Sequence, residues 1–336
     1  MSAPAISVLL PVRDGAAHLA DCIASLAAQG EGDFEVLAVD DGSRDATGSI
    51  LRAWAARDRR VRVLAQEPLG LVAALERARG EARGRWLARM DADDVARPGR
   101  FAAQRALMEA DPTLAICGAG VRYFPRDAIK GGALRYERWL NSLTTSDALA
   151  RDLFVECPLA HPTFFARADA VAAVGGYRDL GWPEDYDLVL RLWRAGGRLG
   201  AVAEVLLDWR DRPERLSRTH AAYAADAFRR CKAHHLMGSL GAGRDGVVVW
   251  GAGPTGKSFA RALAAEGARL RAFVDLDPAK IGQEIAGVPV VPPDGVADHR
   301  GALCVAAVGQ PGARAEIRAA LTARGWAEGR DFVAVA

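Results

Sequence analysis

No apolar run in these 336 residues approaches the roughly 20 that a membrane-spanning helix needs, so the sequence predicts no transmembrane segment. An excess of one charge is missing too. Lys and Arg number 44 against 42 Asp and Glu, a net of +2, mixed along the whole length. Such a balance argues against a nucleic-acid binder working by bulk electrostatics. The five cysteines, Cys22, Cys117, Cys157, Cys231 and Cys304, form no Cys-x-x-Cys pair and no even framework, which speaks against a disulfide scaffold. They read as small buried apolar side chains in a reducing compartment. Met1-Ser2-Ala3-Pro4-Ala5 passes straight into a strand without a basic region or a long apolar core, so no secretory signal is expected. The expectation is a soluble, cytoplasmic protein, long enough for two domains with separate cores.

What is present centres on Arg85-Trp86-Leu87-Ala88-Arg89-Met90-Asp91-Ala92-Asp93-Asp94. An apolar strand stops abruptly at three carboxylates, which no packed core accepts without a metal or a cationic partner. In open α/β sheets the C-terminal strand edge is where ligands bind. Two aspartates one residue apart, an Asp-x-Asp motif, can both reach a hard divalent ion, and that ion can hold the phosphates of a nucleotide. An EF-hand loop would need a ligand and then a glycine where Val95 and Ala96 stand, and it is excluded. A solvated acidic turn is the plain alternative.

The neighbouring segments favour the metal reading. Ile6–Val12 is a strand closed by Arg13-Asp14-Gly15, and Leu19, Cys22, Ile23 and Leu26 recur at helical spacing behind it. Phe34–Val39 is a second strand ending on Asp40-Asp41-Gly42-Ser43. A helix carrying Thr47, Ile50, Leu51 and Trp54 follows, then a strand over Val61–Leu64, a helix from about Leu71 to Arg79, and the Trp86 strand. Alternation with short connections predicts a doubly wound α/β sheet whose strand ends bring Asp14, Asp40, Asp41, Asp91 and Asp93 to one cleft.

Beyond Arg97-Pro98-Gly99-Arg100, which opens a helix, residues from about Tyr123 to Thr145 show little periodicity and read as an excursion over the cleft or a plain surface insertion. Cys157–Phe165 returns to strand character. After Gly175-Gly176-Tyr177, Pro183 suits the first turn of a helix in which Asp185, Leu188, Val189 and Leu192 share one face. An acid on a buried stripe needs a polar pocket or a partner, so Asp185 is a second focus, whereas Glu184 is explained by the helix dipole alone. Glu204–Trp209 predicts a last strand. Arg210, Arg212, Arg215, Arg218 and Lys232 then form a basic stretch, either a solvated face or a cover for phosphate oxygens.

A Gly-rich linker at 238–245 separates residues 1–237 from 246–336. In the latter, Val247–Trp250 runs into Gly251-Ala252-Gly253-Pro254-Thr255-Gly256, a G-x-G-x-x-G turn, and Asp275 follows a further strand at the place of a ribose-binding acid. This predicts a small Rossmann-like unit, with Gly251, Gly253, Gly256 and Asp275 as candidate nucleotide-binding residues. About 90 residues hold no catalytic domain for a dehydrogenase.

Roughly the first 235 residues resemble the family-2 glycosyltransferases of the GT-A fold. The resemblance rests on Ser7–Asp14, Asp40-Asp41-Gly42-Ser43, Ala88–Asp94, Arg97-Pro98 with Arg100-Phe101 and Gln104, His161-Pro162-Thr163, and Gly175-Gly176-Tyr177 followed by Glu184–Leu188. It implies a GT-A-type mixed sheet and a hexosyltransferase-type enzyme that moves a sugar from a nucleoside diphosphate to an acceptor hydroxyl, usually with inversion, in polysaccharide or glycolipid synthesis. Under it Asp91 and Asp93 would hold Mg²⁺ or Mn²⁺, Asp41 would accept a base N–H beside Pro11 and Val12, and Arg13, Asp14, Asp40 and Arg89 would line the donor. Arg215 and Arg218 would steady the departing diphosphate. Asp185 would be the general base, with Glu184 orienting it or the acceptor. Partners would be a nucleotide-sugar donor and a saccharide or lipid-linked acceptor, with peripheral membrane contact left open and no nucleic acid. His161 reads as structural. Where the family has Leu-Asn, this chain has Leu75-Glu76, which would add a negative charge near the phosphates. A bifunctional enzyme with a redox or sugar-modifying Rossmann part, and a non-catalytic nucleotide-sugar binder, are the other readings.

Overall fold

A computed structural model of the chain describes residues 3–30 and 32–336; Met1, Ser2 and Glu31 lie outside them, so the expected run into the first strand is followed only from Ala3. Two compact units result. One takes the chain through Leu149 together with Pro158–Leu180 and Glu184–Arg215, the other Ala150–Cys157, Gly181–Pro183 and Leu216–Ala336. Among the described residues no helix is long and apolar enough to cross a membrane.

In the first unit the strands β1 Ile6–Val12, β2 Phe34–Asp41, β3 Val61–Gln66, β4 Trp86–Arg89, β5 Val95–Ala96, β6 Leu114–Phe124, β7 Phe165–Arg167 and β8 Arg198–Arg210 form one sheet in the order β3-β2-β1-β4-β7-β6-β8-β5. β1 is parallel to β2 and β4, β2 is parallel to β3, and β7 runs antiparallel to both β4 and β6. The sheet is therefore mixed. Every residue of β1 is buried, as a strand covered by helices on both faces must be. The core gathers Ile6, Val8 and Leu10 of β1 with Leu19, Cys22 and Leu26 of the helix Leu19–Ala27, and with Trp86, Phe101 and Phe165. Buried Trp86 lies 5.7 Å from Phe165 across the β4–β7 pair. All five cysteines are buried, and no disulfide joins them.

Three sequence expectations change. Within Tyr123–Thr145 the chain forms a helix, Gly131–Ser142, packed along β6. Its polar side chains finish the strand's hydrogen bonds: Asn141 exchanges two with Val121 (2.9 and 2.8 Å), and Glu137 accepts the Tyr123 N–H at 2.7 Å. Over Cys157–Phe165 the chain makes a 3₁₀ turn, His161–Thr163, and only Phe165–Arg167 pairs as a strand. Pro162 removes one ladder donor in that stretch. The last strand is also longer than Glu204–Trp209, spanning Arg198–Arg210.

The second unit has β9 Val247–Trp250, β10 Leu270–Val274, β11 Glu284–Ile285, β12 Val288–Val291, β13 Leu303–Ala306 and β14 Phe332–Ala334, in the order β11-β12-β10-β9-β13-β14. All pairs are parallel except β11 with β12. The helices Ala225–Met237 and Pro254–Ala265 of this unit pack together.

Candidate active site

Strand order reverses between β1 and β4, and the crevice at such a switch point is where open α/β sheets bind ligands. The register sets Leu9 beside Arg89 and Val12 beside Asp40, so the loops after β1, β2 and β4 leave the sheet at one edge.

After β4, Asp91, Asp93 and Asp94 each offer a carboxylate oxygen within 4.8 Å of the others. Asp94 is buried; its Oδ1 accepts the Arg210 N–H at 2.7 Å, while its Oδ2 is enclosed without a hydrogen bond. Burial, with Asp91 and Asp93 close by, pushes the Asp94 carboxyl well above the usual range, and burial with Asp91 raises Asp93. Three crowded oxygen donors, one of them orphaned, fit a hard divalent cation, which would relieve both the repulsion and the missing hydrogen bond. Arginines compensate part of this charge. The Arg89 guanidinium lies on Asp91, and Arg212 Nε contacts Asp93 Oδ2 at 2.8 Å. Burial would weaken the charged form of Arg89, but Asp91 holds its pKa above the ordinary value. Arg215 stacks over Trp209 at 4.4 Å and feels Asp94 and Asp91. The sequence offers Arg210 and Arg212 only within a basic stretch that is either a solvated face or a cover for phosphate oxygens, and Asp94 only as the third carboxylate of Asp91-Ala92-Asp93-Asp94.

The cluster is braced from behind. β5 pairs antiparallel with β8, and Arg210 Nε donates to the Asp93 carbonyl at 2.7 Å. Arg100 and Gln104, both fully buried, bolt β4 to the 3₁₀ turn. Arg100 Nη2 donates to the Arg89 carbonyl (2.7 Å) and Nε to Gln104 Oε1 (3.1 Å), whose amide reaches the Thr163 carbonyl (2.7 Å). Burial lowers Arg100 to about 10, so it stays charged at neutral pH. The Arg100 and Gln104 of the family motif are thus framework.

Pro11 and Val12 are buried on β1, and Arg13 is exposed, 3.8 Å from Asp41. The acids of the first two strand ends hold loops together. Asp14, at φ 48°, accepts the Arg44 N–H at 2.8 Å, and Asp40 accepts that of Ser43 at 3.0 Å. Buried Asp41 accepts Gln66 Nε2, Leu69 N and Gly70 N at 2.8 to 2.9 Å, which fixes the entry of the helix Leu71–Glu81. Two of these bonds use Oδ1 and one uses Oδ2, so by lone-pair count one acceptor site remains for a ligand.

The helix Glu184–Arg194 brings a second acid pair. Glu184 is buried with Oε1 3.4 Å from His161 Nδ1, and His161 Nε2 meets the Tyr177 hydroxyl at 3.2 Å. Asp185, half-buried, accepts the Tyr186 N–H at 2.7 Å. Electrostatically Arg89 joins the two acid groups, interacting with Asp91 on one side and with Tyr177 and Glu184 on the other. Glu76 is accounted for by its partners. Arg79 donates to both its oxygens (2.7 to 3.0 Å), and the Tyr177 N–H binds Oε1 at 2.6 Å, so the charge expected near the phosphates is neutralised in place.

Arg218 lies on the short helix Leu216–Thr219 of the second unit. Lys232 is neither solvated nor phosphate-facing: it is buried, donating to the Val155 and Val335 carbonyls at 2.6 and 3.1 Å. In that unit a cavity of about 790 Å³ is lined by Gly251, Gly253, Asp275, Lys280, Gln310 and Arg324 among others. Gly251 has φ +120°, and a Cβ on Gly256 would stand 1.7 Å from the Gly251 carbonyl oxygen, so both glycines serve the turn itself. Asp275 accepts the Ala252 N–H (2.9 Å), the Asp277 N–H (3.0 Å) and Lys280 Nζ (3.2 Å), which hold its pKa below the usual range against burial.

The mixed sheet with an acid cluster at its switch point defines a GT-A glycosyltransferase. The family model "Glycosyl transferase family 2" matches residues 7–175, and the chain belongs to that family. It is 29% identical over 230 residues to EpsE of Bacillus subtilis strain 168, covering 67% of this chain and 80% of EpsE. With the amylovoran biosynthesis glycosyltransferase AmsE of Erwinia amylovora it shares 30% over 191 residues, 56% of this chain and 69% of AmsE. Among solved structures, the mannosyltransferase PcManGT from Pyrobaculum calidifontis, in complex with GDP-Man and Mn²⁺, aligns with 97% of this chain and 82% of its own at a TM-score of 0.53 and 17% identity, a likeness of fold.

Proposed function

We propose that the chain transfers a sugar, with inversion, from a nucleoside-diphosphate donor to an acceptor hydroxyl in polysaccharide or glycolipid assembly, and that residues 1–237 carry this activity. The observation that carries the reading is the carboxylate cluster Asp91, Asp93 and Asp94 at the β1–β4 crevice, with Arg89 between Asp91 and Glu184. AmsE, named for amylovoran biosynthesis, supports the polysaccharide context, and the GDP-Man and Mn²⁺ of PcManGT support a metal-assisted nucleotide-sugar donor.

Asp91 and Asp93 would hold Mg²⁺ or Mn²⁺, with Asp94 completing the oxygen set. Bound there, the ion supplies Lewis-acid neutralisation of the leaving diphosphate. Arg212, released from Asp93, and Arg215 would take up phosphate oxygens by their planar forks. Asp41 offers its remaining acceptor site to a base N–H, beside Pro11 and Val12, and Arg13, Asp14 and Asp40 shape that wall. On the far side of the sugar Asp185 removes the proton of the attacking hydroxyl, and Glu184 orients the acceptor. Release of nucleoside diphosphate from a panel of UDP- and GDP-sugars with Mn²⁺, each with and without acceptor saccharides, tests the reading; no release from any donor would end it.

For the second unit the reading is a Rossmann-like domain with a nucleotide in the 790 Å³ cavity at Gly251, Gly253 and Asp275, Gly256 allowing the turn to close. Calorimetric titration with NAD and with UDP separates a dinucleotide from a mononucleotide occupant. Five buried cysteines with no disulfide among them favour a cytoplasmic location.

A further inference from the structure

His161 was expected to be only structural, yet it stands between two groups that its chemistry can connect. Its Nδ1 is 3.4 Å from Glu184 Oε1, and its Nε2 is 3.2 Å from the Tyr177 hydroxyl. All three side chains are buried. Burial and the nearby Arg89 charge push the imidazole well below its ordinary pKa, so one ring nitrogen carries a proton and the other does not. Burial also raises the Tyr177 phenol, which keeps its proton. A carboxylate only accepts, so the ring proton belongs on Nδ1, facing Glu184. Nε2 is then an acceptor, and Tyr177 O–H fills it. The Tyr177 O–H is donated to Nε2, and the Nδ1–H faces the Glu184 carboxylate at 3.4 Å, a charge–dipole contact longer than a hydrogen bond.

The row is fastened at its far end. The Tyr177 N–H binds Glu76, which Arg79 holds, and the positive φ of Gly176 (+65°) favours glycine at that turn, where a Cβ would press on the Glu76 and Arg79 side chains. At its near end the helix Glu184–Arg194 is held by Arg191, which joins Asp187 (2.7 Å) and the Val174 carbonyl (2.7 Å).

We propose that Tyr177, His161 and Glu184 form a one-way polar relay in which His161 is a positioning residue, its Nδ1–H held against the Glu184 carboxylate that orients the acceptor beside Asp185. The inference rests on the assignment of Glu184 and Asp185 to catalysis. It reaches beyond that assignment by giving the direction of each proton and a function to the Gly176-Tyr177 turn.

The relay makes two near-isosteric replacements unequal. An asparagine amide nitrogen falls near the Nδ1 position and keeps a donor for Glu184; a glutamine amide nitrogen falls near Nε2 and loses it. In the full chain, His161→Asn is expected to keep kcat within about 3-fold, while His161→Gln lowers it by about 10- to 100-fold, the usual cost of a mispositioned catalytic group. Donor KM should move less than about 2-fold in both, because the change lies on the acceptor side. Tyr177→Phe, which removes the O–H but keeps the ring, should lower kcat by about 5- to 10-fold with a small change in thermal midpoint. Equal kcat losses in the Asn and Gln variants, or losses that follow their thermal midpoints, would overturn the relay. If neither His161 variant folds, Tyr177→Phe decides alone: unchanged kcat overturns it. Asp185→Asn, assayed in parallel, separates the two levels. Full activity there overturns the catalytic assignment itself, whereas loss there with equal Asn and Gln effects overturns only the relay.

Discussion

Glu76 accepts the backbone N–H of Tyr177 at 2.6 Å, across 101 positions of sequence. With Arg79 on both its oxygens, the carboxylate ties the helix Leu71–Glu81 to the turn that carries Tyr177. A residue that departs from the family pattern thereby supports the site from behind. Glu76→Ala should cost about 1–3 kcal/mol, the penalty for leaving a partly buried N–H and a guanidinium unpaired, while Glu76→Gln retains the acceptor and loses less. Urea unfolding of both variants checks the order.

Chelation should abolish transfer, and Mn²⁺ should restore it. Asp93→Asn removes one of three clustered carboxylates, and we expect a loss of about 100-fold or more in kcat/KM that added metal recovers only in part. The readout is nucleoside diphosphate released over a Mn²⁺ titration. Undiminished turnover in EDTA would remove the ion from the mechanism.

Arg100 is the framework charge with most to lose. Arg100→Met leaves the Arg89 carbonyl and Gln104 Oε1 without their donor inside a closed core, and a loss of about 2–5 kcal/mol is expected, read as a lower thermal midpoint for the first unit.

Buried His161 gives a pH signature. Its folded pKa lies well below the ordinary value, so the unfolded chain binds the proton first, and stability falls as pH drops below about 6.5. The slope reaches at most about 1.4 kcal/mol per pH unit from this group. Urea midpoints at pH 7.5 and 5.5 should differ more for the wild type than for His161→Asn.

The acid-ended strands were legible because β1, β2 and β4 are buried on both faces and read as apolar runs that stop at charge. The helix Gly131–Ser142 was missed although Ala133, Tyr136 and Leu140 recur at helical spacing and pack on the core, because Gly131-Gly132 at its start and the polar Glu137 and Asn141, which satisfy the backbone of β6, interrupt that stripe. For the same reason pattern did not distinguish Asp14 and Asp40, whose carboxylates bind loop N–H groups, from Asp93, whose carboxylate faces other acids and an arginine. Spacing reports where a carboxylate leaves the chain; its partner is decided by segments far away, such as Arg210 and Arg212 for the cluster after β4. The Arg100–Gln104 link was visible only as a motif, because both side chains pair with backbone carbonyls that no sequence pattern marks.

The most direct measurement is the rate of sugar transfer by Asp185→Asn beside its affinity for the nucleotide-sugar donor in Mn²⁺. The account predicts a fall in kcat of about 10²- to 10⁴-fold, the range for losing a general base, with donor affinity unchanged. Transfer at the wild-type rate would contradict it.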